Sequence, residues 1–171
     1  MASGRVHDRA TRWLALPFGL LWAPSLGERG VLVAGLAFLV GGLWLSPDLD
    51  THSKATQRWG PLRGLWFPYR QLIRHRSLLS HSPFLGTAGR LLYLGGLLAI
   101  TAVVLASLLE NGLARLGTVA MEIWTRHRSL LLAAVIGVEA SSWLHLLLDG
   151  DPEFHLPRPL RKHRRRRPSQ K

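Results

Sequence analysis

Cysteine is absent from the 171 residues, which removes disulfides, thiolate metal sites and cysteine nucleophiles together. Any metal ion must therefore be held by nitrogen and oxygen ligands. Acidic residues are scarce, 10 against 22 lysines and arginines, for a formal net charge of +12. That balance suits an anionic partner such as a phospholipid surface, a nucleic acid or a phosphorylated substrate. No Walker loop, GxGxxG, HExxH or GxSxG pattern and no internal repeat occurs, so the common short signatures of nucleotide, zinc-peptidase and serine-hydrolase chemistry are missing. Serine chemistry at Ser77 or Ser80 has no triad spacing behind it.

What is present is apolar. With 47% hydrophobic residues, 7 tryptophans and 17 glycines, the chain has something substantial to bury, and its length suits one domain. Residues 1–157 read as a single membrane-embedded helical domain. Residues 158–171 carry eight of the basic residues and read as a solvated, disordered basic tail. The fold class expected is all-α, a polytopic membrane helix bundle of about four apolar segments with a metal site at one membrane face.

The first apolar segment, residues 13–26, is interrupted by Pro17 and Pro24 and is short for a crossing that needs ~20 residues. It reads as a kinked or partial membrane helix, without the small-x-small site of a cleaved signal peptide. Residues 31–45 are uncharged and stop at Ser46-Pro47. Ala34, Gly35, Gly41 and Gly42 would let another helix approach this one closely. Residues 51–90 are basic and interleaved with Trp59, Trp66, Phe67 and Tyr69, as suits a stretch on the membrane interface. Within it Pro68 opens a short helix to about His75, and Ser82 caps a new helix with Pro83 at its first position. Residues 91–109 form the clearest span, residues 110–128 a polar and partly helical connection, and residues 130–148 the last apolar helix, capped by Ser129.

If four helices cross, Arg5, Arg9 and Arg12, the basic central loop and the tail share one side. The positive-inside rule makes it the cytoplasmic face of an inner membrane, with both termini there. The same topology collects His7, Asp48, Asp50, His75, His81 and the end of the last helix at that face. Polar groups repeated at the ends of short apolar helices point to function. His145 and Asp149 are four apart, on one face of a helix and at chelating spacing, and Glu139 and Ser142 extend the polar stripe. Asp48 and Asp50 on an extended backbone aim the same way. One could ligate while the other orients a histidine or bridges to a second metal. Each pair also has a bland reading, as helix-end caps, solvated turn acids or an interfacial basic patch. His52, His127, His155 and His163 read as surface residues.

The elements Ser3-Gly4-Arg5-Val6-His7-Asp8, Pro47-Asp48-Leu49-Asp50 and Arg74-His75-Arg76-Ser77-Leu78-Leu79-Ser80-His81-Ser82-Pro83 closely resemble a bacterial family of uncharacterised metal-binding membrane proteins. The Asp-x-Asp and His-Arg-x-x-x-(Ser/Thr)-His pattern is also similar to predicted membrane-bound metal-dependent hydrolases, and the early His7 with the late His145/Asp149 is similar in spacing to zinc-dependent phospholipase C. The resemblance implies a metal site drawn from His7, Asp48, Asp50, His75, His81, His145 and Asp149. Zinc, manganese or iron suits such ligands, and seven candidates could hold one metal with supporting partners or two metals. Arg74 or Arg76 would stabilise developing negative charge if the protein is a hydrolase of phosphoryl or acyl esters, with a membrane lipid headgroup as substrate. The alternative is a non-catalytic, metal-stapled scaffold that recruits an acidic lipid or partner. Specific nucleic-acid binding has only the charge of the tail to support it.

Overall fold

A computed structural model describes residues 4–73 and 77–150. Among them the chain is helical and has no strand. In order come α1 (Gly4–Leu20), α2 (Ala23–Leu43), a 3-10 turn at Pro47–Asp50, α3 (Lys54–Gln57), a 3-10 stretch at Gly60–Trp66, α4 (Phe67–Leu72), α5 (Leu78–His81), α6 (Leu85–Ser107) and α7 (Gly112–Asp149). Among the described residues three helical segments, α2 with the turn after it, α6 and α7, are long and apolar enough to cross a membrane.

Small residues hold the bundle together. On α1 the buried positions are His7, Thr11, Ala15 and Gly19, a four-residue spacing that makes one stripe along the helix. That stripe lies against α2. A Cβ on Gly19 would meet the Val31 carbonyl oxygen at 2.5 Å, and one on Gly42 would meet Thr11 Cγ2 at 2.5 Å. The neighbouring Gly41 points about 100° away around the helix and faces α7, where a Cβ would come within 2.8 Å of Val138 Cα. Gly137 on α7 returns the contact, since its Cβ would meet the Ala34 carbonyl oxygen at 2.7 Å. The adjacent glycines therefore admit two different helices at the end of α2. This brings the first turns of α1 and the last turns of α7 together there.

The end of α2 is also pinned from outside. A helix leaves its last carbonyls without intrahelical donors. Here Arg58 Nη1 donates to the Leu43 carbonyl at 2.8 Å and Trp59 Nε1 to that of Trp44 at 2.9 Å. Arg58 also pairs with Asp8 of α1. Beneath these contacts Leu45, Leu49, Ala55, Trp66, Tyr69 and Val138 form a buried cluster, with Trp66 meeting both Trp59 and Tyr69 edge-on. The aromatic residues between α2 and α6 thus build a small core of their own.

Several sequence expectations change. The kink falls at Gly27, whose φ of +59° is open to glycine, while α1 continues through Pro17. Residues 110–128 are helical beyond the part expected: α7 already begins at Gly112 and runs through the rest of them unbroken. That stretch contains no proline, its Leu113, Ala114, Arg115, Leu116, Ala120, Met121 and Glu122 are good helix formers, and its Glu122–Arg126 pair closes at 3.2 Å. Ser129 is therefore mid-helix. Ser82 does not cap the helix that follows Pro83. That helix opens at Leu85, and Glu139 Oε1 on α7 accepts from Phe84 N–H at 2.8 Å. Arg90, expected in the interfacial stretch, is inside α6 and buried. The basic tail lies outside the described residues.

Candidate metal centre

Among the described residues, four separate parts of the chain deliver the polar groups that meet at the end of α2. His7 comes from the end of the first turn of α1, Asp48 and Asp50 from the 3-10 turn after α2, His81 from α5, and His145 and Asp149 from the last turns of α7. His7 Nε2 lies 3.0 Å from Asp149 Oδ1, and the His7 and His145 rings stack at 4.1 Å between centroids. His145 Nε2 stands 3.5 Å from both Asp149 Oδ2 and Asp48 Oδ2. One ligand atom each from His7, His145 and Asp149 falls within 4.8 Å of the others.

Asp48 continues the array. Its Oδ1 is 3.7 Å from His81 Nε2, and Asp50 Oδ2 is 3.5 Å from His81 Nδ1. The two carboxylates therefore flank one imidazole from opposite sides. The sequence suggested parallel side chains on an extended backbone. The 3-10 turn instead splays Asp48 and Asp50, and His81 sits between them. Asp48 is the most open member, with a side chain 35% exposed against 3% for His81 and 4% for His145.

The arrangement fits a divalent ion. His145 Nε2 is buried without a hydrogen-bond partner, an arrangement that costs free energy unless something fills it. Its other nitrogen is held, with Nδ1 at 3.4 Å from Ser46 Oγ. In the tautomer that donates from Nδ1, Nε2 presents its lone pair to the two carboxylates. Two donors bound to one tetrahedral ion stand roughly 3.4 Å apart, close to the His145–carboxylate separations. His7, His145 and Asp149, with Asp48 beside them, could hold the ion.

The centre opens to a cleft of about 250 Å³ lined by His7, Asp48, His145, Ser53, Lys54 and Arg58, among others. Arg58 is already engaged by Asp8 and Leu43. Lys54 is exposed, and so among the described residues is the cation on the cleft best placed to meet an anionic group. Arg74, His75 and Arg76, singled out in the sequence, lie outside the described residues. His81 is positioned through its neighbour: Arg90 Nη1 donates to the Ser80 carbonyl at 3.0 Å, and Nη2 donates to Thr87 Oγ1 at 3.0 Å and Ser142 Oγ at 2.8 Å. Arg90 thereby ties α5, α6 and α7 together behind the centre. Tyr69 is buried in the aromatic cluster below, where burial pushes its phenol above its ordinary value.

The sequence reading missed Ser46, Lys54 and Arg90. Ser46 precedes Pro47-Asp48 and accepts from Asp48 N–H at 3.4 Å, a local turn signal that was legible. Arg90, the charge at the head of an apolar run, was a second signal. Lys54 had none, because its relevance comes from where α3 lands.

Residues 2–155 match the family described as "Uncharacterized metal-binding protein (DUF2227)". An "Uncharacterized protein" from Aquifex aeolicus (strain VF5) is 52% identical over 61 residues, a match covering 35% of this chain and 43% of that relative. No solved structure matches.

Proposed function

The chain belongs to this family of uncharacterized metal-binding proteins, and from that premise we propose that it is a membrane-bound, metal-dependent hydrolase of phosphoryl or acyl esters. Its centre lies at headgroup depth on the cytoplasmic face. The observation that carries the catalytic reading is the opening of the centre. Structural metal sites are closed by protein ligands, whereas catalytic ones keep a position for water or substrate. Here the partly open Asp48 and the Lys54-lined cleft leave such a position. The membrane reading is supported by α6, which turns Leu92, Leu98 and Ile100 outward on a scale that soluble surfaces rarely tolerate.

A divalent ion held by His7, His145, Asp149 and Asp48 would supply Lewis-acid polarisation of the ester and a more acidic water. The chain's own residues do the rest. Ser46 fixes the His145 ring. Lys54 offers a cation to the anionic oxygen, beside the role that the sequence gives to Arg74 or Arg76. The aromatic cluster beneath Asp48 and Asp50 keeps their turn rigid. Zinc is the first choice of ion, with manganese and iron compatible with the same donors.

The test begins with elemental analysis of the purified full chain, then a screen against phosphomonoesters, phosphodiesters and glycerolipids. The expected result is stoichiometric metal and a metal-dependent turnover that His145→Ala abolishes. Stable metal binding with no turnover on any ester would replace the enzyme reading with a metal-stapled scaffold. A carboxy-terminal reporter found outside the cytoplasm would overturn the orientation.

A further inference from the structure

The centre offers six ionisable side chains among the described residues, more than a four-coordinate ion takes up, and they divide into two sets. His7, His145 and Asp149 approach one another within 4.8 Å. His81 is reached through carboxylates on either side of its ring, Asp48 at Nε2 and Asp50 at Nδ1. Asp48 stands between the sets, with Oδ2 3.5 Å from His145 Nε2 and Oδ1 3.7 Å from His81 Nε2.

The rings are held so that both Nε2 atoms face this carboxylate. His145 Nδ1 is against Ser46, and His81 Nδ1 is 3.0 Å from Ser80 Oγ with Asp50 behind. A histidine with one nitrogen anchored to a carboxylate or hydroxyl and the other directed at an acidic group is the usual build of a metal ligand and its support.

Resting on the metal-centre reading above, we propose that the centre is dinuclear and that Asp48 is the shared carboxylate. Its Oδ2 serves an ion held by His7, His145 and Asp149, and its Oδ1 serves a second ion held by His81, whose ring Asp50 orients. The two subsites differ in strength. Among the described residues the first has four protein donors and the second has two, Asp48 and His81, and open positions at the second would suit water and anionic oxygens of the substrate. A pair of ions in that arrangement favours phosphoryl esters, because the ions can hold two oxygens of one phosphoryl group.

The test uses the full chain in detergent, stripped with chelator and titrated with Mn²⁺. Bound metal is counted by elemental analysis and calorimetry, and coupling between ions is read by electron paramagnetic resonance. Wild type is expected to bind two equivalents, the second at least ~10-fold weaker, with an exchange-coupled signal at full loading. His81→Gln should lose the second equivalent and the coupling while keeping the first. Asp50→Asn should weaken only the second, by about 10–100-fold, and His145→Ala should remove the first. Circular dichroism of each variant separates these losses from failure to fold. A single equivalent in wild type that His81→Gln leaves intact overturns the dinuclear assignment and spares the metal-centre reading. Two uncoupled equivalents that survive His81→Gln also overturn the assignment, and no bound metal at all overturns both readings.

Discussion

Gly41→Ala adds one carbon at the crossing that sets the centre. The new Cβ would stand 2.8 Å from Val138 Cα and 2.3 Å from Ser141 Oγ. Ordinary carbon contacts are about 3.5–4.0 Å, so roughly 0.7–1.2 Å must be made up. The Ser141 hydroxyl can rotate, but Val138 Cα is backbone, and α7 must move away from α2. His145 is two turns further along α7, and its partner Asp48 is in the turn that ends α2, so the displacement is carried into the centre. Overpacking of this kind costs about 1–3 kcal/mol, and a misplacement near 1 Å can cost on the order of 100-fold in a function that depends on geometry. Gly95→Ala and Gly96→Ala serve as controls. Nothing lies within 4 Å of a Cβ at either position on α6, and each removes a glycine from a helix interior where alanine is preferred by about 0.5–1 kcal/mol. Thermal unfolding in detergent and calorimetric metal titration should show Gly41→Ala destabilised and weak in metal binding, with both controls at or above wild type. If Gly41→Ala matches the controls in both assays, the close crossing does not position the centre, and the reasoning is wrong.

Arg90→Met should lower the unfolding free energy by about 1–3 kcal/mol, because the Ser80 carbonyl and the Ser142 hydroxyl lose a buried donor. Arg90→Lys should not restore it, since one ammonium cannot span the two partners as a guanidinium fork does; full restoration would count against the role given to Arg90. Tyr69 has a folded pKa above the ordinary 10.0, so its stabilising contribution is complete below that value and is lost as pH rises above it. Alkaline unfolding curves should show this loss, and Tyr69→Phe should flatten it; an unchanged slope in the variant would assign the loss elsewhere. Chelation should lower stability by about 2.7 kcal/mol relative to protein held at a free metal concentration 100 times Kd, and equal melting temperatures with and without metal would argue against a folded-state site.

The all-helical class, and the gathering of His7, Asp48, Asp50, His81, His145 and Asp149 at the end of α2, were legible in the sequence for one physical reason, while His75 lies outside the described residues. Charged and histidine side chains at the ends of apolar runs are costly unless they gather. His145 and Asp149 needed only helical periodicity to be placed together. Gly41 and Gly42 announced a close crossing, although not that each serves a different helix. Boundaries were harder to read. The start of α7 was hidden because Arg126, His127 and Arg128 look like a loop by composition, yet an exposed helix carries such charges easily. The start of α6 was hidden because its first free N–H is satisfied by Glu139, 55 residues away, and no local rule sees a cap supplied by another helix. For the same reason the sequence could name Asp48 and Asp50 as a pair but not foresee that they would flank one histidine.

The contact between His7 and Asp149 joins positions 142 residues apart. Synthesis runs from α1 to α7, so the first of these two side chains exists long before the second. If they hold an ion together, a growing chain has no complete coordination set until the final turns of α7 are made and seated between α1 and α2. Loading would then be coupled to finishing the fold, and a chain cut short of its last helix would lack the means to retain an ion.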